Sequence, residues 1–325
     1  MHASHYDVVT LGETMIRFSP AGLDRMEQSP SFEVHVGGSE SNTIVGLSRL
    51  GLKTCWISRL TDNALGRRIS NAIAAHGVDV SHVVWTHEDR IGTYYYEPGL
   101  APRPSLVVYD RAGSAFSRFS VDALSMHPFR STRLLHVTGI SLALGDGCRA
   151  LLAAARDAAA EQRAQISFDF NYRSRLWSMS DSKQHSESWV NRSDVVFMSK
   201  RDACAWSGLE SDVEDKVVLR AMARDREERC TVLTLGEHGA IGMAAGKTEA
   251  ASTTQVHGVG RLGGGDAFSA GFLYGWLQGW DLRTNLRWGN AAAALKYSIP
   301  GDLPWIHRDE IAGVLSATGN RGVIR

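Results

Sequence analysis

Short apolar runs rich in β-branched residues alternate with helix-period stretches along most of this chain, and that alternation constrains its fold more than any other feature. Tyr6 to Leu11 is such a run, ends at Gly12, and reads as a buried strand. Asn42 to Leu50 sets Ile44, Val45, Leu47 and Leu50 at helical spacing, with Gly51 as C-cap. Lys53 to Ser58 reads as a strand, and Asp62 can cap a helix that runs to His76 and stops at Gly77. Further on, the strand-like segments LLHVTGI (134–140), QISFDFN (165–171), DVVFMS (194–199) and CTVLTLG (230–236) are interleaved with helical stretches, Asp146 to Gln162 and Asp212 to Glu227. The remainder is mostly helical: Ala267 to Gln278, Leu282 to Ser298 and His307 to Leu315. Repetition of strand, helix and strand predicts βαβ units and a mostly parallel sheet flanked by helices.

Two stretches break the rhythm. Ile91 to Ser120 carries aromatic and β-branched runs (TYYYE, SLVVYD) split by PGLAPRP and RAGSAF, without helical period. Met15 to Val36 is likewise strand-like and punctuated by proline. Such pieces predict antiparallel ribbon that could pair into a small sheet apart from the main body.

The 325 residues carry 35 basic against 35 acidic side chains, so no electrostatic footprint points to nucleic acid or an anionic membrane, and local groups must hold any anionic ligand. Cys55, Cys148, Cys204 and Cys230 are scattered, with no C-x-x-C pair, and read as thiols of a reducing compartment. The sequence from Met1 has no basic segment followed by an apolar one, and no apolar run is long enough to span a bilayer, which predicts a soluble, cytoplasmic protein.

The stretch HGVGRLGGGDAFSAGF, His257 to Phe272, admits two frames. Gly258, Gly260 and Gly263 match the G-x-G-x-x-G of a dinucleotide-binding turn, but that motif needs a buried strand before it and an acidic strand end about twenty residues after it. Here ASTTQVH precedes and helix, GWD and helix follow. A second decoy, Gly246-Lys247-Thr248, has Ile241 where a P-loop needs its first glycine, and reads as a loop. In the other frame Gly263, Gly264 and Gly265 open an apolar helix. Their N–H groups and the helix dipole could cradle a phosphoryl group, with Asp266 as general base. The same aspartate would serve as a plain N-cap, and the residues alone leave both readings open.

Taken together, the motifs resemble the ribokinase-type (PfkB) carbohydrate kinases over nearly the whole chain. GGSESN (37–42) with GLSRLG (46–51) resembles the N-terminal signature of that family. SRLTDNALG (58–66) is similar to its S-x-x-G-x-D-x-x-G segment, with Leu60 where glycine is common. GVGRLGGGDAFSAGF resembles its C-terminal signature D-T-x-G-A-G-D-x-F. Within the family, GETMIRFSP (12–20), YDRAGSAFSRF (109–119), HVTGISLAL (136–144) and FDFNYRSRLW (168–177) look most like 2-keto-3-deoxygluconate kinases.

The resemblance implies a single Rossmann-like, three-layer α/β domain over 1–325, with a β-lid from insertions at about 14–36 and 91–120 that often pairs with the lid of a second subunit, giving a homodimer or higher oligomer. It implies ATP-dependent phosphorylation of a primary hydroxyl, most closely that of 2-keto-3-deoxygluconate, giving its 6-phosphate. Asp266 would be the base and the Gly263, Gly264 and Gly265 amides the anion hole. Gly38 and Asn42 would meet substrate hydroxyls, and Tyr94 would line the pocket from the lid. Tyr109, Arg111 and Arg173 would meet the acid or keto end, where a guanidinium pairs with carboxylate better than lysine can. Thr234, Gly236, Gly239 and Asn290 would contact ATP. The family's N-x-x-E motif, which organises Mg²⁺ through water, appears as Ser199 and Asp202. Gly260 stands where the family usually has an aspartate linked with monovalent-cation binding, which argues against potassium activation. A fructokinase or other hexose kinase is the alternative within the family. A catalytically weak sugar-binding or regulatory relative is the alternative outside catalysis.

Overall fold

Val8 and Val9, Leu134 and Leu135, Val195 and Val196, and Val232 and Leu233 are neighbouring pairs, fully buried, whose members belong to two separate hydrophobic cores. Successive side chains of a strand point to opposite faces, so the sheet that carries these pairs is covered on both sides.

The computed structural model describes residues 5–223, 228–256, 260 and 262–316. Its strands are β1 (Tyr6–Leu11), β2 (Met15–Pro20), β3 (Phe32–Gly37), β4 (Thr54–Ile57), β5 (Arg59–Thr61), β6 (Val84–Thr86), β7 (Thr93–Glu97), β8 (Leu106–Asp110), β9 (Thr132–Thr138), β10 (Gln165–Asp169), β11 (Val195–Ser199), β12 (Cys230–Thr234), β13 (Ala240–Ala244) and β14 (Lys247–Ala251). Its helices are α1 (Ser39–Arg49), α2 (Ala64–Ala74), α3 (Gly139–Leu142), α4 (Asp146–Glu161), α5 (Met179–Arg192), α6 (Lys200–Ser207), α7 (Asp215–Met222), α8 (Gly264–Leu277), α9 (Leu282–Tyr297) and α10 (Arg308–Ser316).

The main sheet runs β14-β13-β12-β11-β10-β9-β1-β4. Pairing is parallel from β12 to β4, and the β13–β14 hairpin adds two antiparallel strands at one edge. The lid is a four-stranded sheet in the order β3-β2-β7-β8. Each inserted piece forms an antiparallel hairpin, and the two hairpins meet along a parallel β2–β7 seam. Beyond β8, Phe116 and Phe119 are packed into the main core.

Several boundaries differ from the sequence reading, each for a local reason. Helix α1 starts at Ser39, three residues before the apolar periodicity, because its first turn is polar yet buried. Asn63, and not Asp62, caps α2: its side chain accepts from the N–H groups of Leu65 and Gly66. The LLHVTGI segment leaves the sheet at Thr138, and Gly139 opens the short α3. Helix α7 covers only Asp215–Met222 of the expected stretch, whose residues 224–227 lie outside those described. Lys247 and Thr248 of the expected loop begin β14 instead. Their hairpin turns at Ala245 and Gly246, both at positive φ, the backbone a tight two-residue hairpin requires. All four cysteines are buried and free. No helix among the described residues is long and apolar enough to cross a membrane.

Helix α8 is buried all round except at Gly265 and Trp276. It lies close to α1 because Gly46 has no side chain: a Cβ there would come within 2.7 Å of the Ala270 Cβ. That approach brings the first turn of α8 against the first turn of α1.

Candidate active site

The site forms where these two helix ends meet the C-terminal edge of the parallel strands. Strand β14 ends at Ala251 and residues 252–256 carry no strand, so nothing like a dinucleotide fold leads into the glycines. His257, Gly258, Val259 and Arg261 of that stretch lie outside the described residues, and Gly260 is half-buried. Gly263 is the N-cap of α8, at φ +73°, a conformation that glycine adopts without cost. A Cβ on Gly263 would meet the Asp302 carbonyl oxygen at 2.2 Å, and one on Gly264 the Tyr297 ring at 2.2 Å. At Gly265 an added Cβ would meet no atom within 4 Å, and this residue is exposed. The helix therefore starts one turn earlier than expected from Ala267, and the glycines form its opening rather than a loop before it.

Asp266 lies in that first turn and is buried. Its Oδ1 accepts from Ser39 Oγ at 2.6 Å and its Oδ2 from Asn42 Nδ2 at 2.7 Å. Ser39 is held in turn by Asn171 Nδ2 at 2.8 Å. The carboxylate thus has partners outside its own helix, which a simple N-cap does not need. Asp169, at the end of β10, is a second acid in the same place. Burial first, then the negative charge of Asp266, push its carboxyl up to about 8. Burial also raises Asp266, but the Ser39 and Asn42 hydrogen bonds, and then Arg173, pull it back. Neighbouring carboxylates cannot both ionise cheaply. The proton therefore resides on Asp169, leaving Asp266 charged, the division of labour that acid–base sites use.

Arg173 is exposed, donates to the Tyr172 carbonyl at 3.0 Å, and favours the charged forms of both aspartates. Arg111 differs from the expectation of a guanidinium standing free for substrate: its Nη2 pairs with Glu13, and both side chains are nearly buried. The Arg111 Nε and Glu13 Oε1 are buried without hydrogen-bond partners. Tyr94 is buried, stacks on Tyr109 with centroids 5.8 Å apart, and donates to Asp302 Oδ1 at 2.5 Å. Arg17 of the lid pairs with Asp302 Oδ2 at 2.9 Å. Gly38 caps α1, and a Cβ on it would meet the Glu13 carbonyl oxygen at 2.1 Å, so its glycine character is explained by packing.

A cleft of about 510 Å³ opens beyond β11 and β12, lined in part by Ser199, Thr234 and Gly236. It has the size of a small-molecule pocket and the location where open α/β sheets bind nucleotides. Ser199 Oγ also accepts from the Asp202 N–H at 3.1 Å, capping α6. Gly239 and Asn290 do not line this cleft. A Cβ on Gly239 would meet the Ala251 carbonyl oxygen at 2.1 Å, and Asn290 Nδ2 donates to that same carbonyl at 2.8 Å. Both residues hold the end of β14. No group of three acidic, histidine or cysteine side chains that could hold a metal ion occurs among the described residues.

Ser39, Asp169, Asn171, Glu13, Arg17 and Asp302 were not singled out from the sequence. For Asp169 and Asn171 a signal existed: polar residues alternating with Phe168 and Phe170 at the end of a parallel strand.

Residues 6–303 match the family described as pfkB family carbohydrate kinase. The chain is 37% identical over 319 residues to a 2-dehydro-3-deoxygalactonokinase of Haloferax volcanii, covering 98% of this chain and 99% of that one. It superposes with a TM-score of 0.92 on the crystal structure of a 2-dehydro-3-deoxygluconokinase from Thermotoga maritima, at 30% identity and over 96% of this chain and all of that one. An E. coli protein described as a Ribokinase II, solved in complex with ATP and Mg²⁺, shares the fold at a TM-score of 0.86 and 18% identity, over 95% of this chain and 99% of that one.

Proposed function

This chain belongs to the pfkB family of carbohydrate kinases, and from that premise we propose that it transfers the γ-phosphoryl group of ATP to the primary hydroxyl of a 2-keto-3-deoxy sugar acid, 2-keto-3-deoxygluconate or its galactonate epimer. The observation that carries the reading is the Asp266 carboxylate, held between Ser39 and Asn42 in the first turn of α8 and kept charged while Asp169 takes the proton. Asp266 accepts the proton of the substrate hydroxyl as its oxygen attacks phosphorus. The N–H groups of Gly263 to Gly265, with the positive end of the helix dipole, stabilise charge on the transferring group.

ATP would occupy the cleft at Ser199, Thr234 and Gly236. The E. coli fold relative with ATP and Mg²⁺ supports that pairing of cofactors. Magnesium keeps most of its ligands from water and phosphates and needs only one or two carboxylates, so Asp202, beside the Ser199 end of the cleft, would fit it without a three-residue cluster. When bound it neutralises charge on the phosphates.

The acid end of the substrate would meet Arg173, with Arg111 Nε and Tyr109 beside it. The Haloferax and Thermotoga relatives, whose names specify the galactono and glucono epimers, support the substrate class. The test is ADP release from a panel of the two keto-deoxy acids, fructose and ribose. Turnover is expected to be highest with a keto-deoxy acid. Preference for fructose would overturn the acid reading, and no turnover with any sugar would overturn the kinase reading.

A further inference from the structure

Lys296, in the last turn of α9, is 1% exposed. Lysine is almost never buried to that degree unless paired, yet among the described residues no carboxylate forms a direct ion pair with it. Its Nζ instead donates to the backbone carbonyls of Ile299 and Gly301, both at 2.9 Å. Burial pushes the ammonium down to about 8, partly offset by the charge of Asp302. A set of main-chain carbonyls around a dehydrated positive charge is the coordination that proteins give a monovalent cation.

The location gives this ammonium a task. The turn it ties down leads directly into Asp302, whose carbonyl oxygen lies against Gly263 and whose carboxylate holds Tyr94 and Arg17 of the lid. The Lys296 Cε itself would lie 3.3 Å from a Cβ on Gly263. Lys296 therefore braces the turn whose Asp302 meets both Gly263, at the start of the anion hole, and the lid residues Tyr94 and Arg17.

We propose that Lys296 is a tethered cation that positions the anion hole, and that it makes phosphoryl transfer independent of a free alkali cation. The proposal rests on the kinase reading above and adds a positioning residue to it. It does not require Lys296 to touch substrate.

The experiment compares the wild type and Lys296→Met in tetramethylammonium chloride and in potassium or ammonium chloride at equal ionic strength. Wild-type kcat with 2-keto-3-deoxygluconate should be the same in all three salts. Lys296→Met should lose about 100-fold in kcat, the scale of an ångström-sized misplacement, and should recover most of it with potassium or ammonium but not with the bulky cation. Its Tm should likewise rise with potassium, while that of the wild type does not. Lys296→Gln serves as a second variant if the first does not fold. Potassium activation of the wild type, full activity of the variant, or a folded variant that no small cation rescues would each overturn the proposal. A purely structural lysine predicts the last outcome. Absence of turnover by the wild type with any sugar overturns the kinase reading instead, and the cation-dependent Tm still tests the site.

Discussion

At the helix end of the site the polar groups are clamped by the main body, whereas at the lid end they come from a four-stranded sheet whose last strand is largely exposed. Ser39, Asn42 and Asp266 sit on two buried helices packed against each other and against the sheet. In the lid, β8 alternates between exposed and half-buried residues, and Leu106 and Val108 are 43% and 42% exposed. Besides Ile16 and Val36, which join the core, buried polar pairs attach the lid to the main body: Arg17 and Tyr94 on Asp302, and Arg111 on Glu13. Buried ion pairs carry a desolvation cost that can exceed their attraction. Their value here is in orientation, holding a thin sheet over the site. The comparison separates two jobs: the interior fixes the reacting atoms, and the lid pairs fix how a substrate is presented to them.

The largest expected effect breaks the helix end alone. Asp266→Asn keeps the size of the side chain and removes the base, so kcat should fall by about 100- to 10,000-fold. Calorimetric binding of the sugar acid should change little. In the wild type, burial raises the Asp266 carboxyl and the reaction needs it deprotonated. Activity should therefore decline, as pH falls, above the range of an ordinary carboxylate. Near-normal turnover in the asparagine variant would remove Asp266 from the mechanism.

Breaking the lid end should give a different signature. Tyr94→Phe deletes the hydroxyl that donates to Asp302 and leaves the Arg17 pair in place. A hydrogen bond to a charged group contributes about 1.5–3 kcal/mol, and 1.4 kcal/mol is tenfold. KM for the sugar acid should rise roughly tenfold while kcat stays within a few-fold. A fall in kcat with unchanged KM would mean that the lid positions the reacting atoms after all.

The same contrast explains what the sequence disclosed. The α/β layers were legible because strands covered on both faces are continuous apolar runs, and the glycine-rich opening of α8 was legible because phosphate cradles need that composition. The β13–β14 hairpin was missed because its turn uses Ala245 before Gly246, where asparagine or aspartate is the usual sign. The supporting residues were missed because their partners are far apart along the chain: Ser39 and Asp266 are separated by 227 positions, Tyr94 and Asp302 by 208, and Arg111 and Glu13 by 98. Periodicity reports apolar faces and is silent on polar residues buried for function, which is why α1 seemed from its pattern to start at Asn42. Arg111 was named through the family resemblance, and the carboxylate that engages it, 98 positions away, left no mark in that pattern.

The smallest effect concerns Asp169 and sharpens the helix end further. Its folded-state pKa of about 8 lies well above the ordinary value of 3.8, so the native site favours the protonated form. The stability it contributes is fully present below the unfolded pKa and is lost as pH rises through about 8. Asp169→Asn cannot titrate and escapes that loss. Relative to the wild type it should gain stability with increasing pH. The gain should be nil below the ordinary carboxylate range and on the order of 2–4 °C in Tm once the wild-type group would ionise, the shift that about 1 kcal/mol gives a domain of 150–250 residues. Because Asp169 is already neutral where Asp266 loses its charge, the acid limb of kcat should stay in place. Thermal melts and a pH–rate profile of the one variant check both. A pH-independent change in Tm, or an acid limb that moves, would mean that Asp169 is not the acid that keeps the proton. The charge on Asp266 would then have to be maintained by Ser39, Asn42 and Arg173 alone.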